Sequence, residues 1–310
     1  MIRVERPGLM TTVQDLGREG FGPIAVSAAG AADPIALRIG NRLLGNPEGA
    51  AGLELTLVGG TFRFETGTWI ALTGSDFDAM LDDSAVMPWT ARQARPGQIL
   101  RMQSTRSGAR CYLCVSGAID VPRFLGSAST HVLSGLGGFE GRALRKGDVL
   151  RTGKATAPFA GRLNPKVAQG LAPRLRLRVT EGLQSGWFTE ASRRAFFEMT
   201  YRVSEASNRM GLRLQGAAIE LRSPAEMITA GVALGAIQIP GGGQPVIVFV
   251  DQQTTGGYPV IANVIAADLP SVGQLRPRDA IEFEPVSHAA ARALLLEQES
   301  WLESSELLLL

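Results

Sequence analysis

Short apolar and polar positions alternate through most of the first half of the chain. Leu53–Leu57 (LELTL), Thr61–Glu65 (TFRFE), Thr68–Gly74 (TWIALTG), Ile99–Gln103 (ILRMQ) and Cys111–Gly117 (CYLCVSG) are β-rich runs separated by Gly, Pro and Asp. That pattern predicts short strands joined by turns. Gly141–Arg151 (GRALRKGDVLR) reads as a turn followed by a closing strand. One segment breaks the period. Asp33-Pro34 suits an N-cap and first helical position, and Gly45-Asn46 suits an end. Between them Ile35, Leu37, Ile39, Leu43 and Leu44 partly fit one helical face, so a helix is expected over Pro34–Leu44. Many strands with one helix predict a small β-barrel.

The second half repeats this order in shorter form. VSAA…LRIGNRLLG from Val26 has a counterpart in VSEASNRMGLRLQG (Val203–Gly216). LELTL is matched by IELRS at Ile219, and GRALRKGD at Gly141 by GQLRPRD at Gly273. Thr152–Pro173, with three prolines and no clear period, reads as the connection. The expected organisation is a first barrel lobe over residues 1–151, a connecting segment over 152–173, a second barrel lobe over 174–286 and a C-terminal helix over 287–310. Two such lobes would form a cleft where they meet, a favoured place for a ligand. Ser185–Met199 carries Phe188, Ala191, Ala195, Phe196 and Met199 at helical spacing, so an amphipathic helix is expected with its aromatics in the core. Ser287 caps a further helical stretch to Glu306. The terminal Leu307–Leu310 could cover a partner, fray or make an intramolecular contact.

Val246–Tyr258 (VIVFVDQQTTGGY) stands apart. An apolar strand runs into a loop of hydrogen-bonding side chains, Asp251 to Thr255, and then into Gly256 and Gly257, which could take positive φ or admit a ligand close to the backbone. The alternative is a tight turn whose side chains satisfy backbone groups.

Composition narrows the function classes. The chain has 310 residues, with 45% hydrophobic and 19% charged, as in a globular protein long enough for two cores. Net charge is +2, and no basic block interleaves with aromatics, which argues against nucleic acid. No apolar run is long enough to cross a membrane. MIRVERPGLM has no apolar stretch of a secretory signal, so the cytoplasm is expected. The two cysteines, Cys111 and Cys114, have a CxxC spacing, but residues three apart on a strand face opposite sides, so they are expected buried and unbridged. Phosphate-loop and metal-ligand spacings are absent, and so is any Ser or Cys nucleophile with evident partners, so no metal is expected.

The runs PGLMTTVQDLGREG, GNRLLGN, CYLCVSGAID, FLGSAST, SNRMGLRLQG, GAIQIPGGGQPVIVFVDQQTTGGYP and DLPSVGQLRPRD carry a resemblance spread from Pro7 to about Phe283. They resemble the KipA-like family, also called allophanate hydrolase subunit 2 or the biotin-dependent carboxyltransferase family, whose main bacterial members are described as the C subunit of 5-oxoprolinase. The resemblance implies a mainly β fold of two cyclophilin-like β-barrel lobes, in agreement with the repeat. One departure is Ala32 in AAGAAD, where the family usually has Met in Ser-Gly-Ala-Met-Asp. If that Met lines a pocket, the pocket here is roomier.

The resemblance also implies a chemistry. 5-Oxoproline is a stable lactam bearing a carboxylate, and its opening to glutamate requires activation by ATP. Such a site needs a cation for the carboxylate, groups for the amide and fixed dipoles. Arg209 and Arg213 are the candidate cations, with pairing to Glu205 or Glu220 as the alternative. Gln238, Gln252, Thr254 and Thr255 could hold the amide, Asp251 could orient water or an arginine, and Tyr258 could stack or donate. Asp15 and Arg18 could face the same cleft. His131 is a candidate base, since only it and His288 are available. Expected partners are a KipI-like protein and a LamB/YcsF-like protein, the other two components of 5-oxoprolinase, with ATP as co-substrate. The chain is expected to be inactive alone. Two alternatives stay open. One is carboxyl transfer to urea, allophanate or a related amide with biotin supplied elsewhere. The other is a non-catalytic antagonist that binds a KipI-like kinase inhibitor.

Overall fold

The computed structural model describes residues 1–155, 158, 161–223 and 227–309. The chain divides into two compact units. The first is Met1–Arg18 with Ala29–Leu171 and Trp301–Leu310, and the second is Glu19–Ala28 with Ala172–Ser300. This partition differs from the sequence-drawn one in three places. The short segment Glu19–Ala28 belongs to the second unit, where Ser27 Oγ donates to Val250 O at 3.1 Å. The supposed connection carries a strand, Arg162–Leu163, and a helix, Pro165–Gly170, both within the first unit. The last residues return to that unit. Short elements with few apolar positions left no period to read, although Leu163 and Val167 are buried.

In the first unit a seven-stranded sheet orders the strands Ile119–Asp120, Val149–Thr152, Ile2–Arg6, Thr61–Phe64, Ile99–Arg101, Met80–Leu81 and Ser84–Ala85. A five-stranded sheet orders Met10–Gln14, Gly52–Thr56, Arg110–Val115, Thr68–Gly74 and Ala91–Ala94. The period of two puts Ile2, Val4, Phe62, Phe64 and Leu100 of the first sheet and Val13, Leu53, Leu55, Leu113 and Val115 of the second into one core. The helix forms at Pro34–Leu43, with Asp33 Oδ1 accepting from Ala36 N at 3.0 Å. It covers the outer face of the five-stranded sheet together with Tyr112 and Cys114. Leu307 is 1% exposed in that same cluster, and Leu308–Leu309 pairs with Arg162–Leu163, so the leucine tail makes an intramolecular contact. Leu310 lies outside the described residues.

A buried polar knot fixes the segment before the helix. Tyr112 hydroxyl donates to Glu54 Oε2 at 2.7 Å and accepts from Asp33 N at 2.8 Å, while Ala32 N donates to the same carboxylate oxygen at 2.9 Å. Burial, and then the Glu54 charge, hold the Tyr112 hydroxyl well above the usual tyrosine range. Ala32 is 1% exposed, so the position that departs from the family pattern is interior.

Cys111 and Cys114 are free, buried and on opposite faces of their strand, one in each of the two clusters. Burial pushes the Cys114 thiol up to about 12 and Cys111 higher still. Both stay protonated and unreactive in the fold. Iodoacetamide at pH 8 should therefore label neither in native protein and both in denaturant. Mass spectrometry showing native labelling at a free-thiol rate would refute the burial.

In the second unit seven strands close into a barrel, in the order Arg176–Glu181, Val260–Val264, Ala236–Gln238, Val246–Val248, Gly211–Gln215, Tyr201–Val203 and Ala280–Pro285. The first and last pair in parallel, Leu177 opposite Phe283. Phe196 stacks on Phe283 at 4.5 Å between ring centroids, with Tyr201 close by. The expected helix is shorter, Glu190–Glu198. Thr189 Oγ1 accepts from Ser192 N at 3.1 Å and starts it after Phe188. That start rotates the face, so Ser192 and Phe196 are inside while Ala191 and Met199 are exposed. The C-terminal helix is His288–Glu303, with Ser287 Oγ accepting from Ala290 N.

Candidate functional site

The polar run after Val246 builds two structures at once. The strand is only Val246–Val248, because the chain turns at Phe249–Asp251. The turn presents Asp251 to Arg209 from the neighbouring loop. Arg209 Nε donates to Asp251 Oδ2 at 2.8 Å and Nη2 to Oδ1 at 3.0 Å, a two-pronged pair with both side chains 7% exposed. Asp251 N donates to Arg209 O at 2.8 Å, which closes the same loop. Nε and Nη2 of Arg209 are thus engaged by Asp251, in keeping with Asp251 as a residue that orients an arginine. Glu205, the alternative partner of Arg209, pairs with Arg278 instead.

Beside this clamp, Arg213, Val246 and Gln238 stand in one row across three adjacent barrel strands, Arg213 opposite Val246 and Val246 opposite Gln238. Directly opposed residues present side chains to the same face. The row lies in a pocket of about 280 Å³, whose wall also includes Asn208, Met210, Val248, Gln253 and Tyr258. Arg213 is exposed and makes no ion pair among the described residues. Its backbone is held, since Arg213 N donates to Ser207 Oγ at 3.0 Å. Asn208 Oδ1 accepts from Met210 N at 2.8 Å and fixes the turn into the strand. Gln238 is 5% exposed, and its amide packs over Gly256. A Cβ at Gly256 would come to 2.7 Å from Gln238 Nε2. Neither Gly256 nor Gly257 takes positive φ, so backbone conformation does not require glycine at either position.

Gln252 lies outside this pocket wall. Its Nε2 donates to Val232 O at 3.1 Å, while its Oε1 is buried without a hydrogen-bond partner. Thr254 O accepts from Val232 N, and Thr255 and Gly256 form a two-residue ladder with Gly231 and Ala230. The loop is therefore both a turn and a wall.

The first-unit candidates are interior. Asp15 accepts from Gly17 N, Ser127 Oγ and Ser129 Oγ through Oδ1 and from Ala128 N through Oδ2, all within 2.8 Å. Arg18 donates to Ser129 O and Phe124 O and lies over the Phe124 ring. Both tie down the glycine-rich loop that follows Phe124, Asp15 through both carboxylate oxygens and Arg18 through Nε and Nη2. His131 is 7% exposed, and its Nδ1 accepts from Ser134 N at 3.3 Å within that loop, which points away from a base. Asp15→Ala should cost about 1.5–3 kcal/mol, the worth of hydrogen bonds to a charged group left unmade. Urea denaturation would read it, and a loss below about 0.5 kcal/mol would argue against the knot.

The pocket offers one cation, three carboxamides (Asn208, Gln238 and Gln253), a phenol and apolar side chains. That set suits a small molecule carrying a carboxylate and an amide. Asn208 was not singled out from the sequence, and Gln253 only as one member of the polar run Asp251 to Thr255. Asn followed three residues later by Gly at a strand start was the signal for the first. The second was hidden in a polar run where only the fold tells which side chains face inward.

The family described as carboxyltransferase domain, subdomain A and B, matches residues 24–285. The C subunit of 5-oxoprolinase from Escherichia coli is 40% identical over 306 residues, covering 98% of this chain and 97% of that protein. The corresponding 5-oxoprolinase chain of Haemophilus influenzae is 39% identical, covering 94% and 93%. The crystal structure of the K. lactis urea amidolyase superposes with a TM-score of 0.91 at 32% identity, over 99% of this chain but only 20% of that one. No helix among the described residues is long and apolar enough to cross a membrane. Barrel, motifs and matches agree, and the chain belongs to the family of carboxyltransferase domains made of subdomains A and B.

Proposed function

We propose that this chain is the C subunit of a cytoplasmic, ATP-dependent 5-oxoprolinase, acting with a KipI-like protein and a LamB/YcsF-like protein. The observation that carries the reading is the end-to-end match to a free-standing C subunit, 98% of one chain on 97% of the other. Arg213 holds the substrate carboxylate. Gln238 and Gln253 meet the lactam N–H and C=O, and the Arg209–Asp251 clamp holds the wall they belong to. ATP phosphorylates the lactam oxygen, with ADP leaving; one water adds to the activated carbon and the ring nitrogen departs as the amine, and a second water hydrolyses the resulting acyl phosphate, so that glutamate, ADP and phosphate are formed. A triphosphate needs more positive charge than the single arginine of this pocket. The nucleotide is therefore held with residues of the partner proteins, and the isolated chain is inactive.

The close superposition on urea amidolyase favours a second reading. There the same pocket takes a urea-like amide, and the carboxyl group arrives from biotin carried elsewhere. One experiment separates them. The chain is co-purified with its KipI-like partner, supplied with the LamB/YcsF-like protein and ATP, and assayed for glutamate from 5-oxoproline, with each component omitted in turn. Glutamate release that needs all three proteins supports the first reading. ATP hydrolysis without glutamate, or turnover that is indifferent to this chain, refutes it.

A further inference from the structure

The outer face of the seven-stranded sheet carries a charge imbalance that the pocket chemistry does not use. On its inner face Ile2, Val4, Phe62, Phe64 and Leu100 are fully buried. Arg3, Thr61, Arg63 and Arg101 alternate with these to the outer face, and a register shift between Val4 and Arg6 turns Arg6 outward as well, where it is exposed. Arg6 stands opposite Thr61, and Thr61 stands opposite Arg101, one row across three strands. Two strand spacings put the two arginine backbones about 10 Å apart. A turn brings Lys146 alongside, since Gly147 N donates to Val4 O at 2.8 Å. Together they line a shallow groove of about 690 Å³ in which the only carboxylate among the described residues is Glu5. Glu5 is taken by Arg63 at 2.6 Å, as Glu65 is taken by Arg3 at 2.7 Å. Asp82 attracts Arg101 at longer range, but its carboxylate accepts from Ile99 N and Gln98 Nε2. Arg6, Arg101 and Lys146 make no ion pair among the described residues.

We propose that this face docks an acidic, extended segment of a partner protein, with carboxylates meeting Arg6, Arg101 and Lys146. An open groove with charges in a row across three strands suits a chain laid across the sheet. No aromatic side chain among the described residues lines it to stack a nucleotide base, which sets a nucleotide apart. Naming the partner as another component of the enzyme rests on the function proposed above. The surface chemistry does not, and its test needs no turnover.

The full chain is titrated into a fluorescent peptide of alternating Glu and Thr, about ten residues long, which at the rise of an extended chain reaches well beyond the row of about 10 Å on either side. Anisotropy is read at low salt and at about twice physiological ionic strength, where exposed charges are strongly screened. R6E/R101E and R6Q/R101Q remove the row, and R92E/R95E makes the same charge change elsewhere in the first unit. Thermal melts check that each variant folds. The expected result is binding to wild type and R92E/R95E that weakens with salt, a Kd raised roughly tenfold or more in R6E/R101E, and a smaller rise in R6Q/R101Q. Equal weakening in R92E/R95E would mean diffuse attraction and overturn the proposal. So would complete competition by an equal concentration of inorganic tripolyphosphate, which would make a small phosphate the occupant. A failure to make glutamate in the assembled enzyme would refute the functional reading and leave this binding result standing.

Discussion

Asp251→Ala should lower the free energy of unfolding by about 3–5 kcal/mol. The change removes the two-pronged contact from a buried guanidinium, and breaking a buried ion pair by deleting one partner is costly in this range. The effect is larger than a surface pair would give, since exposed pairs contribute about 1 kcal/mol or less. Here both side chains are 7% exposed and the geometry is two-pronged. Urea titration of the purified chain measures it directly. Arg209→Ala should cost a similar amount, and the double variant less than the sum, since the two residues act as a unit. A loss below about 1 kcal/mol in Asp251→Ala would show that the pair does not hold the loop. That outcome would favour Arg209 as a contact for substrate.

Arg213→Ala should act on binding and leave the fold alone. Losing a charge-assisted contact to a carboxylate costs about 1.5–3 kcal/mol, which is roughly a tenfold to hundredfold loss. The carboxylate keeps its charge through the reaction, so the loss should fall on KM for 5-oxoproline, with kcat of the assembled enzyme little changed. Stability should move by no more than about 0.5 kcal/mol, as for other exposed positions. Arg213→Lys should recover part of the affinity, because an ammonium keeps the charge and loses the planar fork. Steady-state kinetics with the complete complex read all of this. Unchanged KM in Arg213→Ala would remove the pocket from the substrate reading.

The contrast between Arg209 and Arg213 shows where reading the chain alone runs out. The two sit four positions apart in SNRMGLRLQG, and both are plausible cations by residue type. Nothing local says that the partner of Arg209 arrives from Asp251, on the turn after another strand. Asp15 and Arg18 teach the same lesson. Their polar surroundings suggested a site, and nothing local says that Ser127 and Ser129, distant in sequence, hydrogen-bond to them. Gln238 and Gln253 also look alike as residue types. Closure of the barrel turns both toward one pocket, whereas Gln252 between them in the chain is turned to Val232.

What the chain alone determines is local or periodic. Alternation by twos marked the strands, and the Asp33-Pro34 start marked the helix. The strand period put Cys111 and Cys114 on opposite faces, and the long motifs pointed to the family. These depend on neighbours within a few residues, so they are written in order along the sequence. Tertiary structure alone decided the rest. It set the strand order and the parallel closing pair of the second-unit barrel and sent Leu307 back under the first-unit helix. It also paired Arg209 with Asp251 and set Arg213 at the pocket wall. Each of those outcomes depends on which distant groups meet to satisfy a buried charge or fill a core, and no local pattern records that choice.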